Sequence, residues 1–148
     1  MRILLFLLGL LVLATLAGAI WFRLAPMPAE RWHVDPAEAA PPATPNFALR
    51  AGDDAPRIPR DAETVATRLA AVAEADGARL IAGDLAGEGH ATYVVRSRIM
   101  GFPDAVSIRL HPEGEGTRVD IFSRSRFGQS DLGVNAARVA RWIDAATP

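Results

Sequence analysis

Arginine is the residue type best placed to do chemistry in this chain. All sixteen of its basic residues are arginine and none is lysine. Five of them, Arg96, Arg98, Arg109, Arg124 and Arg126, lie in or beside segments where apolar and polar residues alternate. Strict alternation sends every second side chain to the same face of a sheet. A face carrying five guanidinium forks is suited to phosphate or carboxylate, which each fork can grip through two parallel hydrogen bonds. The bland reading is a solvated sheet face whose arginines pair with Asp104, Asp120 or Glu113. The absence of lysine and the many alanines also fit a GC-rich coding bias, which weakens the arginine count as a sign of a dedicated site.

A second candidate is the segment Ser123-Arg124-Ser125-Arg126-Phe127-Gly128-Gln129-Ser130-Asp131-Leu132-Gly133-Val134-Asn135, followed by Arg138. Two glycines allow unusual backbone angles, while Ser130, Asp131 and Asn135 bond readily to nearby backbone. Turn formation and helix capping account for each of these residue types. Read as catalysis, His90, His111, Ser125, Ser130 and Asp131 offer a nucleophile and a base. No nucleophile elbow or paired-histidine metal spacing accompanies them, and His33 would have to fold back to join the other two histidines. With no cysteine in the chain, disulfides and thiolate sites are excluded. No catalytic residue, metal ligand or cofactor is therefore assigned. A formal net charge of −1 gives no overall field for nucleic acid, which is not expected as a partner.

These residues must be held by a small set of elements. Asp61 is a suitable N-cap for a helix in which Val65, Leu69 and Val72 recur on one face, ending at Gly77. A short strand follows over 78–84. Residues 91–100 alternate, with Tyr93, Val95 and Ile99 on one side and Thr92, Arg96 and Arg98 on the other. Two more strands carry Val106, Ile108 and Leu110, then Val119 and Ile121, on their inward sides. A last helix over about 136–146, with Asn135 as N-cap, presents Val139, Ala140, Trp142 and Ile143. The expected fold is α+β, a two-layer sandwich in which a four-stranded antiparallel meander carries two helices on one face.

An apolar segment precedes this domain. Residues 3–22 carry no charge, and twenty residues at ~1.5 Å each give roughly 30 Å, the thickness of a bilayer core. Trp21, Phe22 and Arg23 close it as residues of a headgroup interface do. Ala17-Gly18-Ala19 could serve as a signal-peptide cleavage site, but the apolar run continues past it, so a retained anchor is expected. The resulting organisation is an anchor over 1–24, a Pro/Ala-rich linker over 25–59 and a domain over 60–148. The linker has no sustained period, and its prolines favour an extended chain. Trp32 within it suits either a membrane interface or a docking contact on the domain. The expected location is a cell membrane, crossed once, with the domain on the extracytoplasmic, periplasmic side.

Arg96-Ser97-Arg98, Phe102, Asp104 and the pattern from Ser123-Arg124-Ser125-Arg126 through Gly128, Ser130-Asp131, Gly133, Asn135 and Arg138 resemble the uncharacterised family called domain of unknown function 1499. The resemblance covers roughly residues 58 to 145. It implies a short, exported or membrane-tethered protein and supplies no substrate. The leading expectation is thus a non-catalytic domain binding an anionic lipid headgroup or other small anion. Its site residues would be Arg96, Arg98, Arg109, Arg124, Arg126, Ser130, Asp131, Asn135 and Arg138. The rival readings are an envelope assembly module that pairs its sheet edges with another protein, and an enzyme of unidentified class.

Overall fold

The computed structural model describes residues 1–147. Helix α1 (Arg2–Leu24) buries none of its residues, and it is long and apolar enough to cross a membrane. A one-turn helix α2 (Ala29–Trp32) follows. In the domain, helix α3 (Ala62–Ala75) begins where Asp61 accepts a hydrogen bond from the Thr64 N–H at 2.8 Å. Hydrogen bonds from the Thr64 backbone and hydroxyl hold the Asp61 carboxyl below the usual carboxylate range. Val65, Ala66, Leu69 and Ala73 are its buried residues.

Strands β3 (Arg79–Asp84), β4 (His90–Arg96), β5 (Pro103–Glu113) and β6 (Gly116–Ser125) then run antiparallel, each beside the next. Helix α4 (Val134–Ala146) closes the chain and packs beside α3. One continuous core joins Tyr93, Val95, Val106, Ile108, Val119 and Ile121 of the sheet to Val65, Leu69, Val139 and Trp142 of the helices. The expected inward residues of three strands are therefore those that meet the helices. The Trp142 indole N–H is not lost in this core, because it donates to the Asp76 carboxylate at 2.7 Å.

The sheet has six strands rather than the expected four. The two extra ones come from the stretch read as an extended linker. Strand β1 (Phe47–Arg50) pairs with β6 from Phe47 opposite Arg124 to Arg50 opposite Ile121. Strand β2 (Arg57–Ile58) pairs with the same edge opposite Arg118 and Thr117. Four and two residues are too few to show an alternation, so their pairing is a tertiary effect.

Residues 25–46 form a strap across the sheet face opposite α3 and α4. Met27 and Trp32 are buried there against Val94 and Ala105, with Ile81 beside them. Of the two settings open to Trp32, docking on the domain is the one observed. Another expectation fails at the end of β4. Pairing stops at Arg96, so Ile99 does not face the core; it lies in the turn between β4 and β5 and is 83% exposed. Gly101 explains the direction of that turn. Its φ of +74° suits glycine, and a Cβ there would stand 2.2 Å from the Arg23 side chain of α1.

Candidate functional site

The five arginines do not form one open face. Arg96, Arg109 and Arg124 do project from the sheet away from the helices, but the strap and the end of α1 receive them. Arg96 donates to the Phe22 and Ala25 carbonyls at 2.7 Å each, and to the Gly101 carbonyl. Arg109 lies 3.6 Å from the Asp35 carboxylate on the strap. Arg124 is 8% exposed, lies over the rings of Trp32 and Phe122, and donates to the Trp32 carbonyl at 2.9 Å. Burial pulls its pKa down to about 10, so it remains a cation at neutral pH. Burial, followed by the nearby Arg79 and Arg126, lowers Arg96 as well. Asp104, Asp120 and Glu113 are not the partners of these five. Asp104 takes Arg138, Asp120 takes Arg118 and His111, and Glu113 takes Arg57 and Arg118.

Arg98 and Arg126 differ from the other three. Both lie beyond the ends of their strands, and neither side chain hydrogen-bonds or pairs with an acid among the described residues. The Arg126 guanidinium lies over the ring of its neighbour Phe127, 5.0 Å from the centroid.

The Ser123–Arg138 segment folds into a buried polar cluster at the same end of the sheet. Arg138 donates to the Asp104 carboxylate at 2.9 Å, to the Asn135 side-chain oxygen at 2.8 Å and to the Ser123 hydroxyl at 3.0 Å. The Asn135 amide donates in turn to the Asp131 carboxylate, the Ser125 hydroxyl and the Asn46 carbonyl. Asn135 is therefore not the expected N-cap. Gly133, with φ of +82°, occupies that position, and Asp131 accepts the Gly133 and Asn135 backbone N–H groups. Burial pushes the Asp131 carboxyl up, but these bonds outweigh it and leave it below the ordinary range. Ser130 accepts from the Leu132 N–H, which supports the only non-glycine residue of positive φ among those described. Ser123 of the candidate segment belongs to this cluster, and so does Asn46, to which the sequence assigns no role. Asn46 was hidden in the proline-rich stretch, and its amide reaches the Gly128 carbonyl at 2.8 Å.

The residues considered for catalysis are dispersed. His90 stacks on His33 with ring centroids 3.9 Å apart, so the strap does fold back and brings two imidazoles together. His111 is engaged instead by Asp120. Ser125 and Asp131 meet only through Asn135.

Two adjoining hollows share Phe127 at this end of the sheet. One, of about 260 Å³, lies between Phe102, Leu132 and Val134, with Asp104, Ser125 and Asp131 among its polar lining. The other, an open groove of about 580 Å³, runs along α1 past Ala17, Ile20, Trp21 and Leu24, with Arg126 and Phe127 lining it from the domain. Phe22 joins α1 to the domain here, 4.2 Å from the Phe102 ring and 5.2 Å from the Phe127 ring.

An α+β domain with an antiparallel sheet, a single apolar N-terminal helix and an Arg/Asp-rich polar network is thus defined. The chain belongs to the family described as protein of unknown function (DUF1499), which it matches over residues 24–145. That match takes in the strap as well as the part in which the resemblance was read. No curated protein matches the chain significantly.

Proposed function

We propose that this protein is a single-pass membrane protein whose extracytoplasmic domain binds an anionic lipid in the groove between α1 and Phe127. The observation that carries this reading is the lining of that groove. Ala17, Ile20, Trp21 and Leu24 supply an alkyl-compatible wall, and Arg126 is the one charged residue of its lining. An amphiphile with a negative headgroup has that same distribution of apolar and charged parts. Arg98 and Arg126 are the headgroup contacts, because the other three candidate arginines already hold the strap and α1. Two guanidinium groups without acid partners gain more from a phosphate than paired ones do. Ser130, Asp131, Asn135 and Arg138 then act by holding the 126–134 loop that shapes the groove, rather than by touching ligand.

The assembly reading has less support. The sheet's edges are β3 on one side, which carries one exposed large apolar residue, Leu80, and a register shift after it, and the four-residue β1 and two-residue β2 on the other. Irregular, short edges of this kind are poor templates for another chain.

Native mass spectrometry of the full chain in mild detergent tests the reading. With phosphatidylglycerol and phosphatidylcholine added at equal concentration, one phosphatidylglycerol is expected to remain bound preferentially. Arg126→Glu should abolish that preference and Arg98→Glu should weaken it. Equal retention of the two lipids, or a preference untouched by Arg126→Glu, would overturn the proposal.

A further inference from the structure

We infer that the β4–β5 turn, residues 97–102, is a second membrane contact that dips into the same leaflet from which α1 emerges. The inference requires α1 to span the bilayer, and it does not depend on a lipid occupying the groove.

Depth is the first argument. The Met100 methyl group lies 3.8 Å from where a Cβ on Gly18 would stand, so the turn packs alongside α1 rather than above its end. Gly18 precedes Phe22 by four residues, which is ~6 Å along a helix axis. With residues 3–22 spanning the apolar core, Met100 sits below the level of Phe22, within the roughly 5–10 Å zone that interfacial segments occupy.

Surface chemistry is the second. Ile99 is 83% exposed at the tip of the turn, and Phe102 is 37% exposed beside it. Large apolar side chains so bare, contiguous with an apolar helix, mark a contact surface. Arg98 immediately precedes Ile99, with a stem long enough to bring its charge up to the headgroups.

Partial backbone bonding is the third. Backbone groups bonded within the protein lower the cost of entering the apolar zone; in this turn every carbonyl but that of Met100 is bonded, as are the Ser97, Gly101 and Phe102 N–H groups, whereas those of Arg98, Ile99 and Met100 are not. The Arg98 and Ile99 carbonyls both accept from the Arg23 guanidinium, at 2.7 and 2.8 Å. The Gly101 carbonyl accepts from Arg96, and the Gly101 N–H donates to the Ser97 carbonyl. The Phe102 N–H donates to the Ser97 hydroxyl, while its carbonyl accepts the Ser97 N–H. Arg23 is thus bound to the tip of the turn, and Gly101 is the residue that lets it approach.

The chain has no cysteine, so a single introduced one places a unique spin label. The full chain would carry Ile99→Cys, Leu13→Cys in mid-α1 or Glu115→Cys in the distant β5–β6 turn. Each protein is reconstituted in vesicles of phosphatidylcholine alone. The readout is the ratio of relaxation enhancement by oxygen to that by a water-soluble nickel chelate. The ratio at 99 should lie several-fold above that at 115 and approach that at 13. A ratio at 99 equal to that at 115, with position 13 immersed, overturns the second contact while leaving the anchor intact. A water-exposed position 13 overturns both.

Discussion

The two faces of the sheet bury arginine in opposite ways. Toward α3 and α4, Arg138 meets an opposite charge, Asp104, and its remaining bonds go to Ser123 and Asn135. Toward the strap, Arg124 is equally buried but has no acid partner; one amino group bonds the Trp32 carbonyl and the other has no protein partner. The first face is a closed polar network among regular elements. The second is a cation lying between two aromatic rings, covering a segment that has little regular structure of its own. Breaking a buried ion pair leaves a bare charge behind, whereas removing an unpaired cation removes its desolvation cost with it. The helix-side network should therefore cost more to break than the docking of the strap.

The largest expected effect tests that contrast directly. Arg138→Ala strands Asp104 in a buried site and should cost about 3–5 kcal/mol. Asp104→Ala with Arg138→Ala should cost much less than the sum of the single changes, since neither charge is then left alone. Chemical denaturation of the full chain in detergent, followed by near-UV circular dichroism, measures both. A loss for Arg138→Ala no larger than that for Arg124→Ala would erase the distinction between the faces.

Arg124→Ala should act on the strap and leave the sheet folded. It removes one charged hydrogen bond and two ring contacts, so strap docking weakens by roughly 1.5–3 kcal/mol. Hydrogen exchange read by mass spectrometry should then rise about tenfold or more across residues 27–36, since each 1.4 kcal/mol is a factor of ten. Exchange in α4 should not change. Acceleration spread evenly over the chain would mean that the strap is part of the cooperative core.

This same contrast explains what the sequence could reveal. On the helix side, the cap at Asp61, the stripe of Val65 and Leu69 and the alternation of β5 and β6 are local patterns with a period, and they foretell the core. On the strap side, alternation correctly sent Arg96, Arg109 and Arg124 outward but could not show what covers them. Trp32 and Met27 have no periodic neighbours, and β1 and β2 exist only because the edge of β6 is there to pair with. Arg98 was projected from a strand that ends two residues earlier, at Arg96. Asn135 sits where a cap residue belongs, yet the left-handed Gly133 starts the helix and turns Asn135 inward. The candidate site was thus legible as a set of unusual residues and illegible as a geometry, because Phe22, Asn46 and Phe127 converge on it only in three dimensions.

The smallest expected effect concerns the clasp between strap and sheet. His33 and His90 stack; Nδ1 of His33 lies 2.9 Å from the Thr92 hydroxyl and Nε2 of His90 lies 3.1 Å from the Val34 carbonyl. Burial, then His90 and Arg109, lower the His33 pKa, and Glu88 only partly opposes them. A histidine depressed in the folded state binds more protons once the strap is released. Docking is therefore fully stabilised above the free value of about 6.5 and weakens as pH falls through it toward the lower folded value. Glu88 from the β3–β4 turn adds negative charge beside the pair and Arg109 positive charge, so the transition should be shallow. Protection factors across 27–36, with the intrinsic pH dependence of amide exchange divided out, should fall modestly between pH 7.5 and 5.5 while those in α4 stay level, and His33→Gln should flatten that dependence. Should α4 respond as strongly as the strap, the acid sensitivity would belong to the ion pairs of the core, and the two faces would share one cooperative unit.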